Sequence, residues 1–220
     1  MLVFNNFFTE YGGEIARLTW EHVQMTVFSV GGAVLFSVPT GIFLTRSRRL
    51  APPFLGFASM VQTVPSLALF GLVIPLFMIL GLPIIGLVPA LFALFLYALL
   101  PILRNTYTGI RQVDPVMIET AAGIGMTDRQ ILWRVELPLS LPVIMAGIRT
   151  STVISVGVAT LAALIGAGGL GELIFRGLRT INYKLMLAGA IPAAMLALCL
   201  DFILARIEAA LTPKGMKVKR

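Results

Sequence analysis

Side chains able to attack, coordinate or carry protons are scarce in this chain. It has one histidine, His22, and one cysteine, Cys199, which sits inside an apolar run. A lone thiol forms no intrachain disulfide, and no Cys/His set has metal-ligand spacing. There is no His-Glu-x-x-His, no nucleophile–base–acid triad and no Gly-x-x-x-x-Gly-Lys-Ser/Thr phosphate loop. Gly166, Gly168 and Gly171 match Gly-x-Gly-x-x-Gly, but they follow an apolar run with no βαβ unit around it, which rules out dinucleotide binding. The expectation is a non-enzyme that holds no cofactor, metal or nucleotide itself.

What remains is polar chemistry set in apolar surroundings. Arg149 and Asp201 interrupt long apolar stretches. A charge at mid-bilayer costs about 2.5–3.5 kcal/mol on insertion scales, so each needs a reason to be there. The expected reason is mutual pairing that holds two spans together, in preference to contact with a transported molecule. Gln62, Thr63, Ser66, Thr150, Ser151, Thr152 and Ser155 are uncharged polar residues in the same setting. Hydrogen bonds between helices are their commonest use. The alternative is a polar pathway, with Pro65 and Pro75 bending a span and freeing backbone carbonyls. Gly166, Gly168, Gly169 and Gly171 form either a flexible exit from a span or a close-packed outer gate where two subunits meet.

A polar island at residues 115–138 is the strongest local signal. Asp114-Pro115 starts a helix, with Asp as N-cap and proline at the first helical position. The helix should run to about Ala122 and end at Gly123 or Gly125. Thr127 and Gln130 have capping-box spacing for a second helix, which is expected to stop at Leu137-Pro138. Two short helices around a glycine elbow either lie on the membrane surface or present a knob to another protein.

The elements that hold these residues follow from composition. The chain is 58% hydrophobic and 12% charged, with a mean hydropathy of +0.94. A soluble domain of this size cannot hide so much apolar surface. Non-alternating apolar runs of roughly 20 residues indicate membrane helices rather than a barrel. Five spans are expected: Val23–Leu44, Phe54–Leu80, Ile84–Leu103, Leu141–Ile165 and Leu185–Ala205. Gly81-Leu82-Pro83 turns the second span into the third. The fold class is all-α, a polytopic helical bundle in one domain over residues 1–220, with the loop at about 104–140.

Of 17 basic residues, 13 fall after span one, between spans three and four (with Arg149 just inside span four) and after span five. Basic loops stay cytoplasmic, which puts the N-terminus outside and the C-terminus inside. The net charge of +7 is thus explained by the membrane rather than by nucleic acid. No secretory signal peptide is evident. Trp20 and His22 are expected at the outer interface, and Lys214, Lys217, Lys219 and Arg220 on anionic lipid.

The island's spacing is Glu119-Thr120-Ala121, three residues, Gly125, nine residues, Val135, one residue, Leu137-Pro138. It resembles the EAA loop of permease subunits in bacterial ABC importers, with Thr120 replacing Ala and Val135 replacing Ile. Residues 62–69, 99–110, 142–150 and 162–171 are similar to stretches of the osmoprotectant permeases in that family. The resemblance covers most of residues 20–205. It implies the type I importer permease fold (MetI-like) in the bacterial cytoplasmic membrane. Glu119, Thr120, Ala121, Gly125, Met126, Leu137 and Pro138 would then couple to an ATPase. The implied partners are two ATP-binding subunits that hold ATP and Mg, a second permease subunit, an extracytoplasmic substrate-binding protein and the lipid bilayer. The implied cargo is a quaternary amine such as glycine betaine, choline or carnitine. Such a cargo has no N–H to donate, so Gln62, Thr63, Pro65, Ser66, Thr150, Ser151 and Ser155 would line its path, with Phe70, Phe77 and Tyr97 as candidate aromatic faces. Another betaine-like compound or an amino acid is the alternative cargo, and a non-transporting membrane scaffold is the alternative class.

Overall fold

A backbone in lipid must satisfy its own hydrogen bonds, so apolar runs of this length become helices. The computed structural model describes residues 2–47 and 49–212. Among them are α1 (Leu2–Arg46), α2 (Ala51–Thr63), α3 (Ser66–Ile79), α4 (Leu87–Arg111), α5 (Pro115–Gly123), α6 (Asp128–Ile131), α7 (Leu137–Ala159), α8 (Gly171–Arg179) and α9 (Tyr183–Leu211). A π-helical turn, Leu132–Glu136, joins α6 to α7, and a 3-10 turn, Leu161–Ile165, follows α7. Arg48, Lys214, Lys217, Lys219 and Arg220, counted above as basic loop residues, lie outside the described residues.

Among the described residues, four stretches are long and apolar enough to cross a membrane: Tyr11–Arg46, Leu87–Arg111, Asp128–Ala159 and Tyr183–Leu211. The helices α2 and α3 are apolar enough only as a pair, bent by 109° at the break between them, the shape of a broken span or a re-entrant loop. Of the two prolines expected to bend the second span, Pro65 does so. Val64 is extended and Pro65 has no N–H, so the helix ends at Thr63 and restarts at Ser66. The Tyr97 hydroxyl of α4 donates to the freed Val64 carbonyl. Pro75, in contrast, lies inside α3 without a break.

The centre of the bundle is α4, packed between α1 and α7. Met25, Phe70, Val73, Phe77, Leu94 and Tyr97 share one core cluster. Phe70, Phe77 and Tyr97 are therefore packing residues, which removes them as faces for a cargo. Small residues set the helix spacing. A Cβ on Gly147 of α7 would lie 2.7 Å from the Pro101 carbonyl of α4, and one on Gly41 of α1 would lie 2.8 Å from Thr106. Backbones this close depend on the missing side chain.

The expected helix stop at Leu137-Pro138 is also corrected. The chain stays helical from Asp128 to Ala159. A π turn is wider than an α turn, so it absorbs the hydrogen bond that Pro138 cannot donate, and the helix continues. The loop is thus one short helix, α5, and the projecting start of the fourth span.

Candidate functional site

At the loop end, Asp114 caps α5 by accepting from the Val116 amide at 2.9 Å. The helix ends in a Schellman motif. Gly125 N–H donates to Ala122 O at 2.9 Å and Met126 N–H to Ala121 O at 3.1 Å, with Gly125 at φ +85°. Gly125 rather than Gly123 is the glycine this turn requires, because a Cβ there would be strained at positive φ. Two residues on, the Thr127–Gln130 capping box is present in both directions.

This elbow fixes what the loop shows. Glu119 and Thr120 are exposed, Ala121 is buried, Met126, Leu137 and Pro138 are half-buried, and Gly125 is exposed. Ala121 therefore supports the turn and does not offer a surface. Val116, Met117 and Ile124 stand exposed beside Glu119. Their significance was missed in the sequence, although a short loop helix carrying apolar residues on all sides cannot bury every one. Large exposed apolar side chains rimmed by polar groups mark a contact surface.

A second missed residue holds the loop to the bundle. Glu136, in the π turn, is buried and accepts from Arg46 at the end of α1. Arg46 had been read only as a loop charge.

Arg149 and Asp201 are brought together. Arg149 Nε and Nη2 donate to the two Asp201 oxygens at 2.9 and 3.1 Å, and Nη1 donates to Glu208 at 3.0 Å. Glu208 is a third member the sequence reading did not include. The cluster joins α7 to α9, a helix of whose most apolar stretch only 17% is buried.

The polar candidates divide. Ser151 Oγ donates to the Ala98 carbonyl of α4 at 2.9 Å, and Ser155 is fully buried between helices. Both sit inside the subunit rather than on an open wall. Thr150, Thr63 and Pro65 are exposed, and Gln62 and Ser66 are half-buried at the α2–α3 break.

At the end away from the loop, Gly166, Gly168 and Gly169 all have positive φ. Gly166 is exposed, but Gly168, Gly169 and Gly171 are buried against their own chain. A Cβ on Gly171 would strike the Thr160 carbonyl, and one on Gly169 would strike Met25 and approach His22. The close approach expected between two subunits is, for these three, made within one. Gly169 N–H donates to Glu21 at 3.1 Å, and Leu170 N–H to His22 Nδ1 at 3.3 Å. His22 Nε2 lies 3.0 Å from the Val156 carbonyl. His22 is fully buried, so its expected interfacial position is corrected: it ties α1 to α7 and to the glycine loop. Trp20, two residues earlier and on the opposite side of α1, is exposed.

Comparison with known proteins follows the same outline. The sequence model of the family described as binding-protein-dependent transport system inner membrane component matches residues 37–214. The osmoprotectant import permease protein OsmW of Salmonella typhimurium is 45% identical over 212 residues, 96% of this chain and 98% of that one. The glycine betaine/carnitine/choline transport system permease protein OpuCB of Bacillus subtilis is 47% identical over 206 residues, 94% and 92% of the two chains. Among solved structures, the methionine ABC transporter MetNI in inward-facing conformations matches with a TM-score of 0.79 at 26% identity, covering 90% of this chain and 96% of that one.

Proposed function

The chain belongs to the family of binding-protein-dependent transport system inner membrane components, and from that premise we propose that it forms half of the translocation pathway of an ABC importer for quaternary amines such as glycine betaine, choline and carnitine. The relatives named for these compounds support the substrate class. Five crossings enclose little volume, so a second permease subunit completes the path. An extracytoplasmic binding protein delivers the cargo. Two ATPase subunits hold ATP and Mg, and the basic loops put α5 and the C-terminus on the cytoplasmic side.

The observation that carries the mechanism is the elbow at Gly125. It presents α5, with Glu119, Val116, Met117 and Ile124 exposed, at the tip of a helix that runs unbroken into a membrane span. An ATPase groove that grips α5 can move Asp128–Ala159 as one rod. Closure of the ATPase pair on ATP draws the two rods together and turns the pathway outward, and hydrolysis releases them. The ligands act only through their different affinities for the two states. Gln62, Thr63, Pro65 and Ser66, at the break between α2 and α3, and Thr150 are the candidates left at least partly exposed to line the path.

The test is co-purification with the partner ATPase and its stimulated hydrolysis, for wild type, Glu119→Arg and Gly125→Asp. Loss of the ATPase, or of its stimulation, in both variants supports the coupling role. Normal assembly and hydrolysis in both would overturn it.

A further inference from the structure

A cavity of about 390 Å³ lies between α8 and the 3-10 turn, at the end away from α5. Glu172, Phe175, Arg176 and Arg179 line it from α8, and Leu164 closes it from the 3-10 turn. The four α8 residues are spaced i, i+3, i+4 and i+7, which puts them on one helix face. Arg176 is committed to Glu14 of α1 through both guanidinium amines. The Glu172 carboxylate feels the charge of Arg176 one turn on, but among the described residues neither it nor the Arg179 guanidinium makes a side-chain hydrogen bond or a close ion pair. The cavity thus offers a carboxylate without a hydrogen-bond partner, an aromatic ring and a guanidinium without one, in that order over roughly 10 Å of helix.

The carboxylate end has a second acid beside it, Glu21, whose charge is already paired with Arg17. Glu172 and Glu21 both approach Gly168, where an added Cβ would lie 3.9 Å from a Glu172 oxygen and would strike Glu21. A site for a cation without N–H groups needs negative charge beside aromatic or aliphatic surface, because it can use no directed hydrogen bond. Glu172, Phe175 and Leu164 supply that combination. Arg179, one turn beyond Phe175, is placed to take a carboxylate. The ordering of acid and base along α8 also suits the helix dipole, which accounts for the charges but not for the ring and cavity between them.

We propose that this cavity is an entry site for zwitterionic quaternary amines, holding the ammonium end at Glu172 and Phe175 and the carboxylate end at Arg179. The assignment rests on the quaternary-amine reading above. It separates two substrate types within that class. A betaine uses both ends of the site, whereas choline, which has no carboxylate, uses only the first.

The test is uptake by the complete transporter in proteoliposomes with saturating binding protein, for glycine betaine and for choline. The side chains concerned are at least partly exposed, so the variants should fold. Glu172→Gln and Phe175→Ala should each lower both uptakes about tenfold. Arg179→Gln should lower glycine betaine uptake about tenfold and leave choline within twofold. In a Cys199→Ser, Leu164→Cys permease–ATPase complex, glycine betaine should slow modification of the new thiol by a charged thiol reagent at least threefold. Equal losses for both substrates in all three variants, a lowered affinity for the binding protein as the cause of the losses, or no protection of the thiol would each overturn the cavity assignment alone. Wild type that takes up neither compound would overturn the substrate reading, and this assignment with it.

Discussion

Arg149 holds both carboxylate oxygens of Asp201 across the α7–α9 contact, at 2.9 and 3.1 Å, and still reaches Glu208 at 3.0 Å. The geometry is bidentate, which suits a planar guanidinium and no lysine. The side chains are 32% and 38% exposed in the single subunit, so the pair is neither sealed nor freely solvated.

Arg149→Gln leaves two acids on one face of α9 without their partner and should destabilise the subunit more than Asp201→Asn does, since Arg149 retains Glu208 in the latter. Partial screening puts the larger loss at about 1–3 kcal/mol, between exposed and buried pairs. Thermal unfolding in detergent measures both. Arg149→Lys should recover less than half of the loss, and full recovery would show that charge alone suffices.

Gly125→Ala places a Cβ at φ +85° with open space around it, so the penalty is conformational and not steric. It should strain the elbow by about 1–2 kcal/mol. Membrane assembly should be unchanged, and stimulation of the partner ATPase should fall. Gly125→Asn should be milder, because Asn tolerates the left-handed region. An alanine variant that stimulates like wild type would show that the elbow's shape is not required.

Arg46→Ala removes the partner of the buried Glu136. An unsatisfied buried acceptor costs about 1–3 kcal/mol, and more when charged. The expected result is a lowered unfolding temperature and faster proteolysis around residues 127–136, partly recovered by Glu136→Gln in the same chain. Absence of any recovery would mean that Arg46 acts elsewhere.

Gly171→Ala should abolish the folded subunit, because its Cβ meets the backbone carbonyl of Thr160, which cannot swing aside. Gly157→Ala, in the last turn of α7 with nothing within 4 Å, should be neutral or stabilising by up to about 1 kcal/mol. Yield and monodispersity of the purified protein distinguish the two. Similar behaviour of both variants would contradict the packing described around Gly171.

Features set by local residues were legible in the sequence. The apolar runs announced the spans, Asp114-Pro115 and Thr127–Gln130 announced the helix starts around the loop, and Pro65 announced a break. Features set by partners far along the chain were not. The bend at Pro65 is stabilised by a hydroxyl from α4, which no local pattern contains. His22 looked interfacial because its partners, Val156 and Leu170, are 134 and 148 residues away. Glu136 gives no signal of its role locally, because its partner Arg46 lies 90 residues before it. Pro138 looked like a terminator because helix-stop rules assume α-helical registry, and the π turn departs from it. Val116, Met117 and Ile124 were visible as apolar residues, but their exposure depends on how Gly125 aims the helix.

That π turn fits an extra residue into the helix between the elbow and the membrane, and the extra residue sets an angular phase. Each α-helical residue turns the chain by about 100°. Deleting one residue from Leu132–Glu136, with the turn reverting to α geometry, would rotate α5 by about that angle around the axis of α7 while leaving every membrane contact beyond Leu137 in place. The face with Glu119 would then point away from where it now points. The loop's direction is thus encoded in the length of the stretch beneath it, separately from the residues that make up its surface.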